Sequence, residues 1–386
     1  MFWNEDNKSV TLAAIVKLGI MRLLILGTRG IPAKHGGFET FAEDLAYYLT
    51  TRGHHVAVYC QGEHNSEVYV DEWRGITLIH FPSHSGAVGT VEFDIYCALD
   101  ALKRKGLILT LGYNTAVLSV LYRLFGRTQV LNMDGIEWKR AKWSTFARLW
   151  LRINEYAGAM LANHLVADHP AIREHHLRHV KPAKISMIPY GATCEATNWE
   201  PESRLSQYKL NPRSYALVIA RTEPENSILE IVQAYSSKKR GMPLVILGEY
   251  DKNRPYHAKV MDAASNEVFF VGAIYDREVV KMLRNYAKVY IHGHRVGGTN
   301  PSLIESLASG NAVIAHDNPF TRWVAGEGAK FFRSGEELSG ILDNIFVDES
   351  LLEAMRRSSI QRHADYFTQL AALQSYEELL ERFARP

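Results

Sequence analysis

The chain has 386 residues, 47% of them hydrophobic, and a formal net charge of +2. That length and apolar fraction allow two domains with full cores. The near-neutral charge gives no sign of a nucleic-acid partner, and no stretch reaches the roughly 18–20 uninterrupted apolar residues of a membrane span.

Residues 1–20 open on an acidic segment, Lys17 interrupts their apolar part, and no small-residue cleavage site follows. They read as a disordered extension or a misassigned start rather than a signal peptide. Met21 begins the first strand, and RLLILG, HVAVYC, ITLIHF, LILTLG, QVLNMD, HLVAD and KISMIPY alternate with helical patterns through residue 190. Residues 191–213 are polar and aperiodic, a linker. YALVIA, PLVILG, VFFVG, VYIHG and AVIAH give the strands of a second unit over 214–364. Near-continuous apolar strands separated by helices imply parallel sheets covered on both faces. The expected fold class is therefore α/β, with two doubly wound Rossmann-like domains. From about Glu349 the chain is helical, with Leu351, Leu352 and Met355, then Leu373, Tyr376, Leu379 and Leu380, at helical spacing. Cys60, Cys97 and Cys194 are odd in number and lack metal-ligand spacing, which fits a reducing cytoplasm.

The most informative stretch is VYIHGHRVGGTNPSLIESLASG, Val289 to Gly310. Gly297 and Gly298 let backbone approach a ligand, and Pro301 suits the first turn of a helix. Free N–H groups at that helix start, around Ser302 and Leu303, are expected to seat a phosphate. Glu305, one turn on, is placed to accept hydrogen bonds from ribose hydroxyls. A nucleotide diphosphate is the ligand this pattern predicts.

Other stretches add to it. After the first strand, Gly27 and Gly30 are followed by Gly36-Gly37, so the dinucleotide fingerprint G-x-G-x-x-G fails. Gly36 and Gly37 instead open a helix whose amides can meet an anion, or are a plain glycine turn. LNMDGIEWKR follows a strand at a carboxyl edge where open α/β folds bind ligands. There Asp134 and Glu137 are candidates for sugar or acceptor hydroxyls, with helix capping the simpler reading of Asp134. From Lys139 to Arg152 five basic residues occur without an acid. Trp138, Lys139, Arg140, Lys142 and Trp143 at its start suit an acceptor site or an anionic membrane surface, the alternative being core aromatics with a solvated charged face. In ARTEPENSI, Arg221 is placed to neutralise phosphate, and Gly272 ends a strand where backbone can meet a base edge. EHHLRH, Glu174 to His179, lacks the H-E-x-x-H order and reads as a solvated helix face, so no metal site is expected. No G-x-S-x-G elbow is present, and a hydrolase is unsupported.

Taken together, GTRGIPAKHGGFET, NMDGIEWKR, ARTEPENSI and HGHRVGGTNPSLIESLASG resemble the retaining glycosyltransferases of GT-B fold, and within them the bacterial rhamnosyltransferase-like branch of capsule and O-antigen synthesis. The resemblance runs from about Met21 to the C-terminal helix. It implies an N-terminal acceptor domain of residues 21–190 completed by a returning helix at 365–386, and a nucleotide-sugar domain at 214–364. Asp134, Arg221 and Glu305 would be catalytic. Gly36, Gly37, Glu223, Asn226, Gly272, Ala273, Ile274, Gly297, Gly298, Thr299, Asn300, Ser302 and Leu303 would contact the donor. It implies no cofactor and no metal, a dTDP-linked sugar as donor, and a polyprenyl-diphosphate-linked glycan as acceptor at the inner membrane face of the cytoplasm. Two departures stand out: Gly297 fills the place of an acid eight residues before Glu305, and Asn226-Ser227 stands where a lysine is usual. The alternatives are a UDP-hexose-dependent transferase, a nucleotide-sugar epimerase of the same fold, and a non-catalytic nucleotide-sugar-binding subunit.

Overall fold

The structure, a computed structural model, describes residues 19–33, 36–64, 66–84, 86–140, 142–194 and 205–384. The expectation for residues 1–20 lies almost wholly outside them, as does the middle of the 191–213 linker. Strands β1 (Arg22–Leu26), β2 (His55–Gly62), β3 (Tyr69–Trp73), β4 (Ile76–Pro82), β5 (Leu107–Leu111), β6 (Gln129–Asn132), β7 (His164–Ala167) and β8 (Ile185–Met187) form one sheet. Its order is β3-β4-β2-β1-β5-β6-β7-β8. Helices α1 (Gly37–Thr51), α2 (Gly86–Lys103), α3 (Ser119–Leu124), α4 (Thr145–Leu161) and α5 (Pro170–Leu177) connect and cover it.

The second sheet, ordered β11-β10-β9-β12-β13-β14, comprises β9 (Ala216–Ile219), β10 (Leu244–Leu247), β11 (Val268–Gly272), β12 (Val289–His292), β13 (Ala312–His316) and β14 (Lys330–Phe332). Its helices are α6 (Ile228–Ser236), α7 (Pro255–Asp262), α8 (Arg277–Asn285), α9 (Pro301–Ala308), α10 (Pro319–Ala325) and α11 (Gly335–Ile345). Two longer helices follow, α12 (Glu349–Tyr366) and α13 (Gln369–Ala384).

The strand interiors are buried on both faces, as in LLIL of β1 and VYIH of β12, which is what parallel pairing under two helix layers requires. Two strands depart from the sequence expectation. β3 runs antiparallel to β4 at the sheet edge, with most of its residues exposed, so it carries no buried alternation to read. β14 is only three residues long. In the second sheet the strand order reverses between β9 and β12, so the loops leaving those two strands flank the crevice where open α/β folds hold ligands.

The chain crosses between the domains twice, and the crossings are joined. Ala192 N–H donates to Phe367 O at 2.9 Å, Gln369 N–H donates to Ala192 O at 3.1 Å, and His363 Nε2 lies 2.8 Å from Ala192 O. Gly191 has no room for a side chain, because a Cβ would lie 2.6 Å from Gln369 Cα. Helix α12 packs on β13 and α9 of the second domain. Helix α13 returns to the first, burying Tyr376, Leu379 and Leu380. Tyr376 OH accepts from Asn132 Nδ2 at 2.7 Å, and Glu377 meets Arg52 Nε at 2.5 Å and Tyr48 OH at 2.9 Å. Among the described residues no helix is long and apolar enough to cross a membrane.

Candidate active site

The carboxyl ends of both sheets face each other, and three contacts define where. Helix α1 begins with Gly36 as its cap and no side-chain cap bond. A Cβ on Gly37 would lie 3.2 Å from Pro301 Cγ at the start of α9. Two helix N-termini, one from each domain, therefore converge, and both carry positive partial charge. Gly36 has an extended backbone open to any residue, so its role here is proximity rather than special φ.

The second contact joins the turn after β6 to the loop after β12. Asp134 holds a left-handed backbone, φ 49°, and its N–H donates to Asn132 Oδ1 at 2.8 Å. Asn132 is fully buried and braced by Tyr190 and Tyr376. Asp134 is thus a strained turn residue fixed from below, not a helix cap. A Cβ on Gly135 would approach Gly297 Cα to 3.6 Å. Burial, then the neighbouring Glu137 carboxylate, raises the Asp134 carboxyl above its ordinary range.

The third contact is an ion pair. Arg140 Nε donates to Glu225 Oε1 at 2.8 Å across the domain boundary, and Arg140 Nη1 to Glu137 Oε1 at 2.7 Å. Arg140 is therefore an interdomain residue, held between Glu137 of its own domain and Glu225 of the other. Around them gather further cations. Burial, then the charge of Arg140, holds the Lys142 ammonium below its usual range, with Arg221 adding to this. Burial and the charges of Arg221 and Arg140 push His294 down to about 3, so its imidazole is neutral. Arg221 itself is exposed.

Several expected donor contacts are engaged elsewhere. Ser302 N–H donates to Asn300 Oδ1 at 3.1 Å, and Leu303 N–H donates to Asn300 O at 3.1 Å. The N–H groups predicted to be free at the start of α9 are thus satisfied by its own cap residue. Ser302 Oγ bonds Tyr290 OH and Ile219 O, and the Leu303 side chain is in the core. Asn226 Nδ2 donates to Arg221 O at 2.8 Å, which shapes the Arg221 turn without facing a ligand. Both polar groups of Thr299 go to Asp168 of the first domain. Glu305 pairs with Arg284 Nη2 at 2.5 Å and keeps 41% of its side chain exposed. That pairing orients the carboxylate and leaves part of it open to solvent. Glu223 starts the short 3-10 turn over Pro224–Asn226. Gly272 has φ 80° and accepts from Gly248 N–H, with Ala273 exposed and Ile274 half-buried beyond it.

The aromatic residues before α4 also face inward. Trp138 and Trp143 pack against a buried cluster with Leu131 and Leu151, and Trp138 Nε1 donates to Glu155 Oε2 at 2.7 Å. Only Lys139 and Lys142 of that group remain exposed. The EHHLRH stretch is a solvated face only in part, at Glu174, Arg178 and His179. His176 is buried, and His175 Nε2 bonds Glu155 Oε1 at 2.8 Å. Glu155, His175 and His176 have metal-like spacing, yet both Glu155 oxygens are already held by His175 and Trp138.

Sequence reasoning missed Asn132, Asp168 and Arg284. Asn132 opens the NMDGIEWKR stretch without a mark of its own, Asp168 and Arg284 lie outside the motifs, and each meets a partner distant in the chain, 131 residues in the case of Asp168 and Thr299.

Two Rossmann-like α/β domains facing each other across their strand carboxyl ends constitute the GT-B fold. Solved structures agree over almost their full lengths. Sucrose-phosphate synthase from Thermosynechococcus elongatus has a TM-score of 0.78 at 17% identity, covering 94% of this chain and 98% of that one. HepE from Anabaena, in complex with UDP and glucose, gives 0.75 at 14% identity, with 94% and 99% covered. A trehalose-phosphate synthase (UDP-forming) from Burkholderia vietnamiensis gives 0.72 at 12% identity, with 95% and 98% covered. At such identities the likeness shows the fold alone. Residues 202–362 match the family Glycosyl transferases group 1, and residues 20–193 match a domain of unknown function, DUF1972. No curated protein matches the chain. The second domain thus matches the group 1 glycosyltransferase family, the fold is GT-B, and the chain is a glycosyltransferase.

Proposed function

We propose that this enzyme transfers a deoxyhexose, L-rhamnose from dTDP-rhamnose, with retention of configuration, onto a hydroxyl of a polyprenyl-diphosphate-linked glycan. The observation that carries this is the meeting of the α1 and α9 starts beside Arg221, Lys142 and Arg140. Charge develops on the departing diphosphate, and preorganised cations and helix dipoles are suited to stabilise it. These groups supply what a divalent cation would otherwise supply, so transfer is expected to persist in EDTA. Glu305, oriented by Arg284, receives the ribose. Asp134, held in its turn by Asn132, meets the sugar or acceptor from the opposite domain. The acceptor hydroxyl attacks from the face the diphosphate leaves, and a phosphate oxygen takes its proton. Closure over the crevice excludes water and limits hydrolysis. The choice of rhamnose rests on the motif resemblance.

A lipid-linked acceptor is supported by α4. Its outer face presents Phe146, Leu149, Ile153, Tyr156 and Met160 at spacings of three and four residues, interleaved with exposed Arg148 and Arg152. Phe146 is 80% exposed, and Leu124 of the adjoining α3 is 75% exposed. Its two acidic or amide residues, Asn154 and Glu155, are turned inward. An apolar stripe with basic flanks suits an anionic membrane surface. This stripe supports α4, more than the tryptophans before it, as the surface that would meet the inner membrane face.

A UDP-hexose donor is the second reading, motivated by HepE, whose solved complexes hold UDP, UDP and glucose, or UDP-glucose. Thermal stabilisation by dTDP, UDP and GDP, free and as sugar conjugates, separates the two. Ligand at a hundredfold excess over Kd adds about 2.7 kcal/mol to the native state. Selectivity for dTDP-rhamnose is the expected result. Selectivity for UDP-glucose replaces the donor, and no stabilisation by any nucleotide sinks the reading of the crevice.

A further inference from the structure

Asp168 follows β7, carries no part in the chemistry above, and is only 2% exposed. Its Oδ2 accepts from Thr299 N–H at 2.7 Å, and its backbone oxygen accepts from Thr299 Oγ1. Its Oδ1 is buried and has no partner among the described residues. Gly298 lies so close that a Cβ there would fall onto both carboxylate oxygens. The absence of a side chain at Gly298 is therefore explained by a carboxylate of the first domain. Nothing about a small-molecule ligand is needed to account for it.

A buried acid with one oxygen unpaired is destabilising, and an apolar residue of similar size would fill the space without that cost. The geometry gives the acid a use. Gly297, Gly298 and Thr299 lead directly into Asn300, the cap of α9, so whatever fixes Thr299 fixes the start of that helix. From the C-terminal domain alone the Thr299 N–H has no acceptor of this kind, because Asp168 reaches it across the crevice. Docking of the first domain and shaping of the loop are the same event.

We propose that Asp168 is a positioning residue that clasps the Gly297–Asn300 loop across the domain boundary and so couples nucleotide binding to domain closure. This rests on the reading of that loop as the seat of the donor diphosphate. It also reassigns Thr299, whose two polar groups serve the clasp and not the donor. A ligand that prefers the closed arrangement is favoured by every contact that stabilises closure, and Asp168 supplies two such contacts on one residue.

The test compares wild type with Asp168→Ala, Asp168→Asn and Thr299→Val in the full chain. The first readout needs no ligand: amide hydrogen exchange of the segment spanning residues 294–303. Asp168→Ala is expected to speed exchange there while the core strands stay protected, and Asp168→Asn, which keeps an acceptor oxygen, is expected to restore protection. The second readout is calorimetric affinity for dTDP, UDP and GDP. For whichever nucleotide the wild type binds, Asp168→Ala is expected to weaken binding by about tenfold, the scale of leaving the buried Thr299 N–H without its acceptor. Asp168→Asn is expected to stay within about threefold of wild type and Thr299→Val to fall between, since it keeps the N–H bond. Unchanged exchange overturns the clasp. Faster exchange with unchanged or tighter nucleotide binding also overturns it, because Asp168 would then be a bystander or a competitor. A wild type that binds none of the three nucleotides sinks the donor-site reading instead, and the clasp stands or falls on the exchange data.

Discussion

At the scale of single residues, the crevice is defined by charges that have been placed with little room to move. In the proposed reading Arg221 and Glu305 are the two groups that meet the donor. Arg221→Ala and Glu305→Ala are each expected to lower transfer by about 10²–10³, the size of one lost preorganised donor or partner, measured as kcat/KM with the identified donor. Unchanged turnover in both variants would remove them from the site. Asp168 makes a separate prediction. Burial, then the Asp134 carboxylate, pushes its carboxyl up to about 7, against the lowering effect of the Thr299 donors. The other titratable groups facing it, Tyr190 and Tyr376, are neutral phenols with pKa values raised by burial. The folded acid keeps its proton where the unfolded chain has lost it, so stability falls as pH rises from about 4 to 7, by at most about 1.4 kcal/mol per pH unit for one proton. Compared with Asp168→Asn, the wild type should lose stability between pH 6 and pH 8, read as a difference in thermal unfolding between the two proteins at each pH. An identical pH dependence in both would contradict it.

Among the elements, α4 and the loop before α9 show how far the sequence could be read. The strand runs and the glycine-proline-glutamate pattern after β12 are legible because burial on both faces and a helix start leave strong local marks. β3 and β14 leave none, one being an exposed antiparallel edge and the other too short. The segment from Trp138 to Met160 contains two apolar faces, and composition alone does not say which is inside. The tryptophans read as surface anchors belong to the core, whereas Phe146, Leu149, Ile153 and Met160 are left outside. The prediction belongs to that helix. Phe146→Ser combined with Leu149→Ser is expected to reduce cosedimentation with vesicles of mixed phosphatidylglycerol and phosphatidylcholine by about tenfold or more. Transfer to a water-soluble acceptor analogue should be unaffected. Equal binding to pure phosphatidylcholine by wild type would remove the role given to Arg148 and Arg152. At the start of α9 the local pattern misleads in a different way. Asn300 is both a good cap and a consumer of the very N–H groups that the pattern offers to a phosphate.

Taken whole, the molecule is two sheets joined by two chain crossings that hydrogen-bond to each other, with contacts across the crevice that include the Arg140–Glu225 pair and the Asp168–Thr299 clasp. None of those long-range contacts is visible in the sequence, because spacing and periodicity report only on neighbours along the chain. The returning helix α13 is part of the first domain's core, with Leu379 and Leu380 fully buried. Leu379→Ala or Leu380→Ala is expected to cost about 2–5 kcal/mol, read as a loss in the melting transition of the first domain. A loss confined to the second domain would show that α13 belongs energetically with α12.

That return has a consequence for how the protein is made. A chain emerging from a ribosome at about 5–20 residues per second releases the strands of the first domain well before residues 369–384 exist. Through that interval Asn132 lacks the Tyr376 hydroxyl and α1 lacks part of its apolar cover. The second domain, whose strands and helices are contiguous in the chain, can close first even though it is synthesised later. The first half of the protein is thus the last to be finished, and the nascent chain must keep an incomplete apolar surface from self-association for the longest part of its synthesis.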